Sequence, residues 1–96
     1  MKILIVENEI YLAGSMATKL ADLGHECEIA KSAKEALKDE EFDVVLLSTT
    51  LPGQDFYPII EKFKSSIIIL LIAYISNDTV LKPIQAGADD YIQKPF

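Results

Sequence analysis

The sequence predicts an α/β fold, a doubly wound sheet of five parallel strands in the order 2-1-3-4-5 with right-handed crossovers. Short apolar runs alternate with amphipathic stretches along the whole chain, as in successive βα units. Residues 3–6, 44–47 and 67–73 are continuously apolar, which is typical of strands buried on both faces. A length of 96 residues with 50% hydrophobic residues suits one domain with a buried core.

The first helix follows the first strand directly and is expected to begin at Asn8 or Glu9. Apolar residues recur along it at helical spacing, and Gly24 is placed to end it. The residues of this apolar face are Leu12, Met16, Leu20 and Leu23. Residues 26–30 then alternate polar and apolar side chains, which predicts a strand at the edge of the sheet.

Two short helices are predicted on either side of the strand at 44–47. Ser32 and Glu35 have the spacing of a capping box, so a helix begins there, with Ala36 and Leu37 expected to face the core. Pro58 suits the first position of the next helix. The apolar residues that follow it are Ile59, Ile60 and Phe63.

Asn77 or Asp78 is expected to be the N-cap of the last helix of the sequence, and Gly87 is expected to end it. Pro83 lies inside it and should shorten or bend it unless it falls in the first turn or two. A short fifth strand follows at Tyr91 and Ile92. The final helix of such a fold has no counterpart in residues 1–96, which would leave apolar surface on one sheet face and favour a partner or a longer native chain.

Composition argues against several classes of function. The 15 acidic residues outnumber the 9 basic ones, all lysine, and the net charge of −6 speaks against nucleic-acid binding through this segment. The single Cys27 excludes an internal disulfide or a Cys-rich metal site and fits a reducing cytoplasm. The longest apolar run, 67–75, is too short to cross a membrane.

Ligand sites in open α/β sheets form beyond the carboxyl ends of the strands. Polar residues follow three strands at that edge: Glu7, Asn8 and Glu9; Ser48, Thr49 and Thr50; and Lys94. Carboxylates hold divalent cations and a lysine neutralises phosphoryl oxygens. The edge therefore has the chemistry of a phosphate or metal pocket.

The sequence resembles the receiver domains of bacterial two-component response regulators along residues 1–96, in four segments that occur in the family's order. These are residues 3–9, residues 42–47, the Leu-Pro-Gly turn at 51–53, and Gly-Ala-Asp-Asp-Tyr-Ile-Gln-Lys-Pro-Phe at 87–96. The resemblance implies a flavodoxin-like fold, a role as a phosphorylation switch and a cis peptide bond before Pro95. It also implies an output domain outside the chain, often one that binds DNA.

The sequence departs from the family's pattern at three pocket positions. Ser48 stands where the family has its phosphoacceptor Asp, four residues before the Pro of the turn. Asn8 replaces one of the paired acidic residues, which leaves Glu7 with Glu9 nearby. Ile72 stands at the usual Thr or Ser of strand four. The family's lysine and switch aromatic are retained as Lys94 and Tyr91.

Each departure predicts a loss of function in the pocket. The neutral Ser48 hydroxyl needs an adjacent base to act as a nucleophile. Mg²⁺ binding is expected to be weak or absent, with Glu7, Asn8 and the Thr50 backbone as its remaining ligands. Ile72 cannot hydrogen-bond a phosphoryl oxygen. Lys94 should pair with Glu7 in place of the lost Asp.

The sequence thus predicts a non-enzymatic receiver domain that works without Asp phosphorylation, through a fixed or partner-controlled conformation and through homodimerisation. A histidine kinase and an output domain are its expected partners. Three alternatives stay open: a conventional phosphorelay switch, phosphorylation by a Ser/Thr kinase within residues 48–50, and a small Ser48-dependent phosphoryl-handling enzyme. Tyr91 is either a core aromatic or a switch residue that reports the state of the pocket.

Overall fold

Five parallel strands form one sheet in the order β2-β1-β3-β4-β5, as the sequence predicts. The computed structural model describes residues 1–38, 40–51 and 56–94. The strands are β1 (Lys2–Val6), β2 (Glu26–Ala30), β3 (Val44–Ser48), β4 (Ile67–Ile72) and β5 (Asp90–Gln93). The predicted turn at 51–53 and the cis bond before Pro95 involve residues outside this description.

Helices connect the strands on both faces of the sheet. They are α1 (Ile10–Asp22), α2 (Ala33–Ala36), α3 (Tyr57–Lys62), and a π-helical segment (Asn77–Leu81) that runs directly into α4 (Lys82–Ala86). Among the described residues β5 is the last of these elements. The strict alternation of strand and helix is the pattern that the apolar periodicity predicts.

The core has two layers, one on each face of the sheet. On one face, the sheet packs against α2, α3 and α4 through residues such as Val6, Leu47 and Ile72. On the other face it packs against α1, whose Ala13 lies over Ile5. The central strands are therefore buried on both sides, which explains their continuously apolar sequences.

The α1 face is only partly covered. Ile67 and Ile92 are 52% and 43% exposed, and the register pairs Ile92 with Leu71, which belongs to the α1-side core. Because paired residues of parallel strands point to the same side, these side chains border one surface at the β4–β5 end of the sheet. We call Ile67, Ile69 and Ile92 the open strip.

Two expectations about apolar side chains are wrong. Leu37 is exposed, while its neighbour Ala36 is buried. The helix α2 has four residues, and Leu37 is already its C-cap, so the chain turns away before Leu37 reaches the core. Leu23 is exposed for the same reason, since it is the C-cap of α1.

Helix starts are set by local hydrogen bonds. Half of the capping box predicted for α2 forms: Ser32 Oγ accepts from the Glu35 N–H at 3.2 Å, while Glu35 Oε1 accepts from the Lys31 N–H (3.4 Å) instead of the Ser32 N–H. The fourth helical segment begins one residue earlier than expected, because Ser76 and Thr79 form a reciprocal capping box. Ser76 Oγ accepts from the Thr79 N–H (3.2 Å), and Thr79 Oγ1 accepts from the Ser76 N–H (3.0 Å).

The disruption expected from Pro83 takes the form of a widened turn. The Lys82 N–H bonds to the carbonyl of Asn77, five residues earlier, as in a π-helix. In a regular α-helix the Pro83 ring would clash with the carbonyl of Thr79, four residues before it. The π-helical segment ends at Leu81, two residues before Pro83, which is itself buried.

Candidate functional site

The carboxyl ends of β1, β3 and β5 hold three site residues in place through the backbone. The Glu7 N–H bonds to the carbonyl of Ala30 at 3.0 Å. Ser48 is the last residue of β3 and pairs with Leu71 of β4. The Lys94 N–H bonds to the carbonyl of Ile72 at 2.7 Å, which extends the β4–β5 pairing beyond Gln93. These contacts aim the side chains at one point above the sheet.

Lys94 lies at the centre of this site. Its ammonium group is within hydrogen-bond distance of Glu7 Oε1 (2.9 Å), Glu7 Oε2 (3.1 Å), Ser48 Oγ (3.1 Å) and Thr50 Oγ1 (3.2 Å). We call these four residues the lysine network. An ammonium group has three N–H donors, so the four acceptors use all of them. The expectation that Glu7 pairs with Lys94 is confirmed.

Three of the four network side chains, those of Glu7, Ser48 and Lys94, are largely shielded from solvent. The Glu7 side chain is 1% exposed and that of Lys94 is 14% exposed, and Ser48 is 0% exposed. The opposite charges of Glu7 and Lys94 balance, which is what allows both to lie in a poorly solvated place. Since both carboxylate oxygens accept from Lys94, Glu7 is committed to this ion pair.

Two hydroxyl groups complete the network. Ser48 Oγ and Thr50 Oγ1 share a hydrogen bond of 2.9 Å, and the Thr50 N–H donates to Ser48 Oγ at 3.3 Å. Ser48 Oγ also accepts from the Lys94 ammonium. A base that would take the Ser48 proton is missing from these contacts, because the nearby carboxylate of Glu7 is already bound to Lys94.

The hydroxyl residues 48–50 are expected at the same edge as Lys94, and two of them, Ser48 and Thr50, contact its ammonium group, whereas Thr49 Oγ1 has no partner among the described residues. The chain turns directly after β3, and the Thr50 N–H donates to Ser48 Oγ at 3.3 Å within this turn. This local contact places the Thr50 hydroxyl beside the same lysine.

Asn8 and Glu9 do not join the network. Both are exposed, and the hydrogen bonds among the described residues do not include their side chains. Their role in the fold is to lead into α1, where the Glu9 carbonyl accepts from the Ala13 N–H at 3.0 Å. Within the described ranges, no group of three or more His, Cys, Asp or Glu side chains is placed to hold a metal ion.

Ile72 and Tyr91 lie behind the network. Ile72 is fully buried in the core on the α2–α4 side of the sheet, so an apolar side chain fills the end of β4. Tyr91 is 39% exposed, which excludes the reading of it as a core aromatic. It pairs with Leu70 in the sheet register and therefore lies on the same side as Ile72.

Comparison with known proteins identifies the family. The response regulator receiver domain family matches residues 3–96, and the chain belongs to it. The transcriptional regulatory protein PhoP of Escherichia coli K12 is 32% identical over an alignment that covers 100% of this chain and 46% of PhoP. The chain thus spans about half the length of the curated relatives it matches.

Solved receiver structures have the same fold. A CheY-like receiver domain from Methanospirillum hungatei JF-1 superposes with a TM-score of 0.88 at 30% identity, covering 99% of this chain and 82% of that one. The BeF3-activated receiver domain of DrrB, a Thermotoga maritima OmpR/PhoB homologue, gives a TM-score of 0.87 at 32% identity, covering 99% and 85%.

Membership of this family sets the coarse function. The chain is a receiver domain of a two-component response regulator, with relatives that regulate transcription. Domains of this kind are signalling modules rather than typical enzymes, and they work with histidine kinases and output domains. In the part of the chain that the structure describes, no helix has the length and apolar character to span a bilayer.

Proposed function

We propose that this chain is an atypical receiver domain that signals without aspartyl phosphorylation, with Ser48 at the position of the phosphoacceptor. The observation that carries the proposal is the saturation of Lys94. Its three N–H donors are taken by Glu7, Ser48 and Thr50. A lysine that neutralises a phosphoryl group needs free donors for it, and here an incoming phosphoryl group would first have to break the network.

Ser48 is a poor acceptor in this environment. A serine hydroxyl stays neutral at physiological pH and becomes a nucleophile only when a base removes its proton. Ser48 Oγ instead accepts hydrogen bonds from an ammonium group and from a backbone N–H. It is also fully buried, so a phosphohistidine donor would have no direct approach.

The residues at the site do not fit a Mg²⁺ ion. A divalent cation prefers several oxygen ligands, usually including carboxylates. Both oxygens of Glu7 are bound by Lys94, and the neighbouring Asn8 and Glu9 are exposed. We therefore propose that Mg²⁺ binds weakly or not at all.

The pocket is proposed to stay in one conformation. Ile72 carries no polar group with which a phosphoryl oxygen could pull the end of β4, and it is buried in the core. Lys94 is held at both ends, by its N–H to Ile72 and by its ammonium to Glu7. Regulation would then act on packing, on a partner or on dimerisation.

An amide NMR titration with Mg²⁺ and beryllofluoride, which mimics the aspartyl phosphate, tests this proposal. We expect the Ser48, Tyr91 and Lys94 amides to stay unmoved at millimolar Mg²⁺. The matched control is the double variant Ser48→Asp with Asn8→Asp, which restores the acidic residues and should respond. Shifts of the wild-type Lys94 and Tyr91 amides would instead establish a conventional phosphorelay switch with residual binding.

The whole protein is proposed to extend beyond this domain. The curated relatives are about twice as long as the chain, and the open strip exposes Ile67 and Ile92. We propose that a further helix and an output domain follow, and that the protein acts as a homodimer in the cytoplasm with a histidine kinase as a possible input.

Sedimentation of the 96-residue domain tests the dimer separately. An uncovered apolar strip should make the domain self-associate, and Ile67→Asp should return it to a monomer. Leu23→Asp, on an exposed residue away from the strip, is the control and should leave association unchanged. A domain that stays monomeric at high concentration would contradict dimerisation through the open strip.

A further inference from the structure

Thr50 is the solvent-facing member of the lysine network. Ser48 is fully buried, and Thr49 Oγ1 is a buried atom without a hydrogen-bond partner among the described residues. Thr50, by contrast, is exposed, while its Oγ1 remains 3.2 Å from the Lys94 ammonium. Of the three consecutive hydroxyl residues, Thr50 is thus the one that an enzyme in solution can reach.

We infer that Thr50 is a phosphorylation site through which a Ser/Thr protein kinase regulates this pocket. The inference rests on the proposed function, because phosphorylation of Thr50 would regulate a pocket that accepts no phosphoryl group from phosphohistidine. It chooses Thr50 over Ser48 and Thr49 on the basis of exposure alone, and it assigns ATP as the phosphoryl donor.

The transfer balances with Mg²⁺-bound ATP on the kinase as co-reactant. Thr50 Oγ1 forms a bond to the γ-phosphorus of ATP, and the bond from that phosphorus to the β,γ-bridging oxygen breaks. ADP leaves, and the hydroxyl proton passes to the catalytic base of the kinase. No oxidant or reductant is involved, and no residue of this chain acts as the base.

A phosphate at this position would open the network. Phosphothreonine carries a charge of about −1.5 to −2 at neutral pH and three strong acceptor oxygens. These would compete with Glu7 for Lys94, which already contacts Thr50 Oγ1. Esterified Oγ1 has no hydrogen, so in the 2.9 Å contact of the two hydroxyl groups, where either one can be the donor, Ser48 alone could still donate. Lys94 would turn toward the phosphate, and the Glu7 ion pair would break.

The first test locates the phosphate in full-length protein purified from its native cells. We expect peptide mapping to find a phosphoryl group on Thr50 that survives hydroxylamine, because a phosphate ester resists this reagent and an acyl phosphate does not. Thr18 is the control, since it is an exposed hydroxyl on α1 outside the network. An unphosphorylated Thr50 across growth conditions, or phosphate on Thr18 instead, would overturn the inference.

The second test measures the effect on the network. Phosphothreonine is installed at position 50, and at position 18 as control, and the side-chain resonances of Lys94 and Glu7 are recorded by NMR. We expect both to shift with phosphate at position 50 and neither with phosphate at position 18. Unmoved Lys94 and Glu7 signals would refute the regulatory role. Failure of either test leaves the beryllofluoride titration unaffected, so the two proposals can fail independently.

Discussion

Replacing Lys94 with methionine tests whether the buried ion pair stabilises the fold. The substitution keeps an unbranched side chain but removes the ammonium group that binds both oxygens of Glu7. Glu7 is 1% exposed, so water does not replace the lost partner. Removing one member of a buried pair costs about 3–5 kcal/mol. We take the lower end, about 3 kcal/mol, because Lys94 itself is 14% exposed and already partly solvated.

A double-mutant cycle separates the pair from its surroundings. Glu7→Gln and Lys94→Met are made singly and together, and urea unfolding is followed by circular dichroism. The double variant should be more stable than Lys94→Met alone, because it no longer buries an unpaired charge. For a domain of this size, each 1 kcal/mol changes Tm by about 4–8 °C. The single Lys94→Met variant should therefore melt at least 10 °C or so lower.

A small loss would refute the reasoning. Loss of a surface ion pair lowers the free energy of unfolding by under about 1 kcal/mol. If Lys94→Met has an effect this small, water must reach the Glu7 carboxylate, and the lysine network does not exclude solvent. If the double variant is no more stable than Lys94→Met, the lost stability comes from packing of the lysine chain rather than from its charge.

Three further variants and reactions test local features. Gly87→Ala should destabilise the domain by about 1–3 kcal/mol in thermal unfolding, since φ is 134° at Gly87 and a Cβ there would lie 3.3 Å from Ile60 Cγ2. Ser32→Ala should cost about 1 kcal/mol in urea unfolding through loss of the α2 cap, and Ser32→Asp should restore most of it. Burial raises the pKa of the Cys27 thiol. At neutral pH, iodoacetamide should therefore modify Cys27 more slowly than it modifies a free cysteine peptide. The rate of modification should rise as the pH approaches the raised pKa. An equal rate would mean that the thiol is solvated.

The sheet could be predicted because the side chains of its inner strands are apolar on both faces. A run such as Val44–Leu47 has no polar side, so it must be covered on both faces, and a parallel sheet between helices is the structure that does this. The positions of Glu7 and Lys94 follow from the same logic, since both come directly after strands whose carboxyl ends share an edge.

What escaped prediction depends on one or two local bonds. Leu37 has the same apolar character as Ala36, and only the length of α2 decides which of them is buried. The Ser76 cap depends on Thr79 three residues later, a pair that Asn77 and Asp78 obscure because both are good cap residues themselves. The sequence places three hydroxyl residues at this edge, but which of them reach Lys94 depends on the turn at 49–50 that follows β3, and no spacing rule specifies that turn.

We expect the wide turn before Pro83 to divide the helical residues 77–86 into two units that can open separately. Proline carries no N–H, so Pro83 donates no backbone hydrogen bond from α4 to the segment Asn77–Leu81. Opening of the first unit can therefore stop at the junction and leave α4 docked on the core, where Pro83 is buried. Amide hydrogen exchange should show this as a step in protection at Pro83, with the loop beyond β4 free to rearrange at little cost to the rest of the domain.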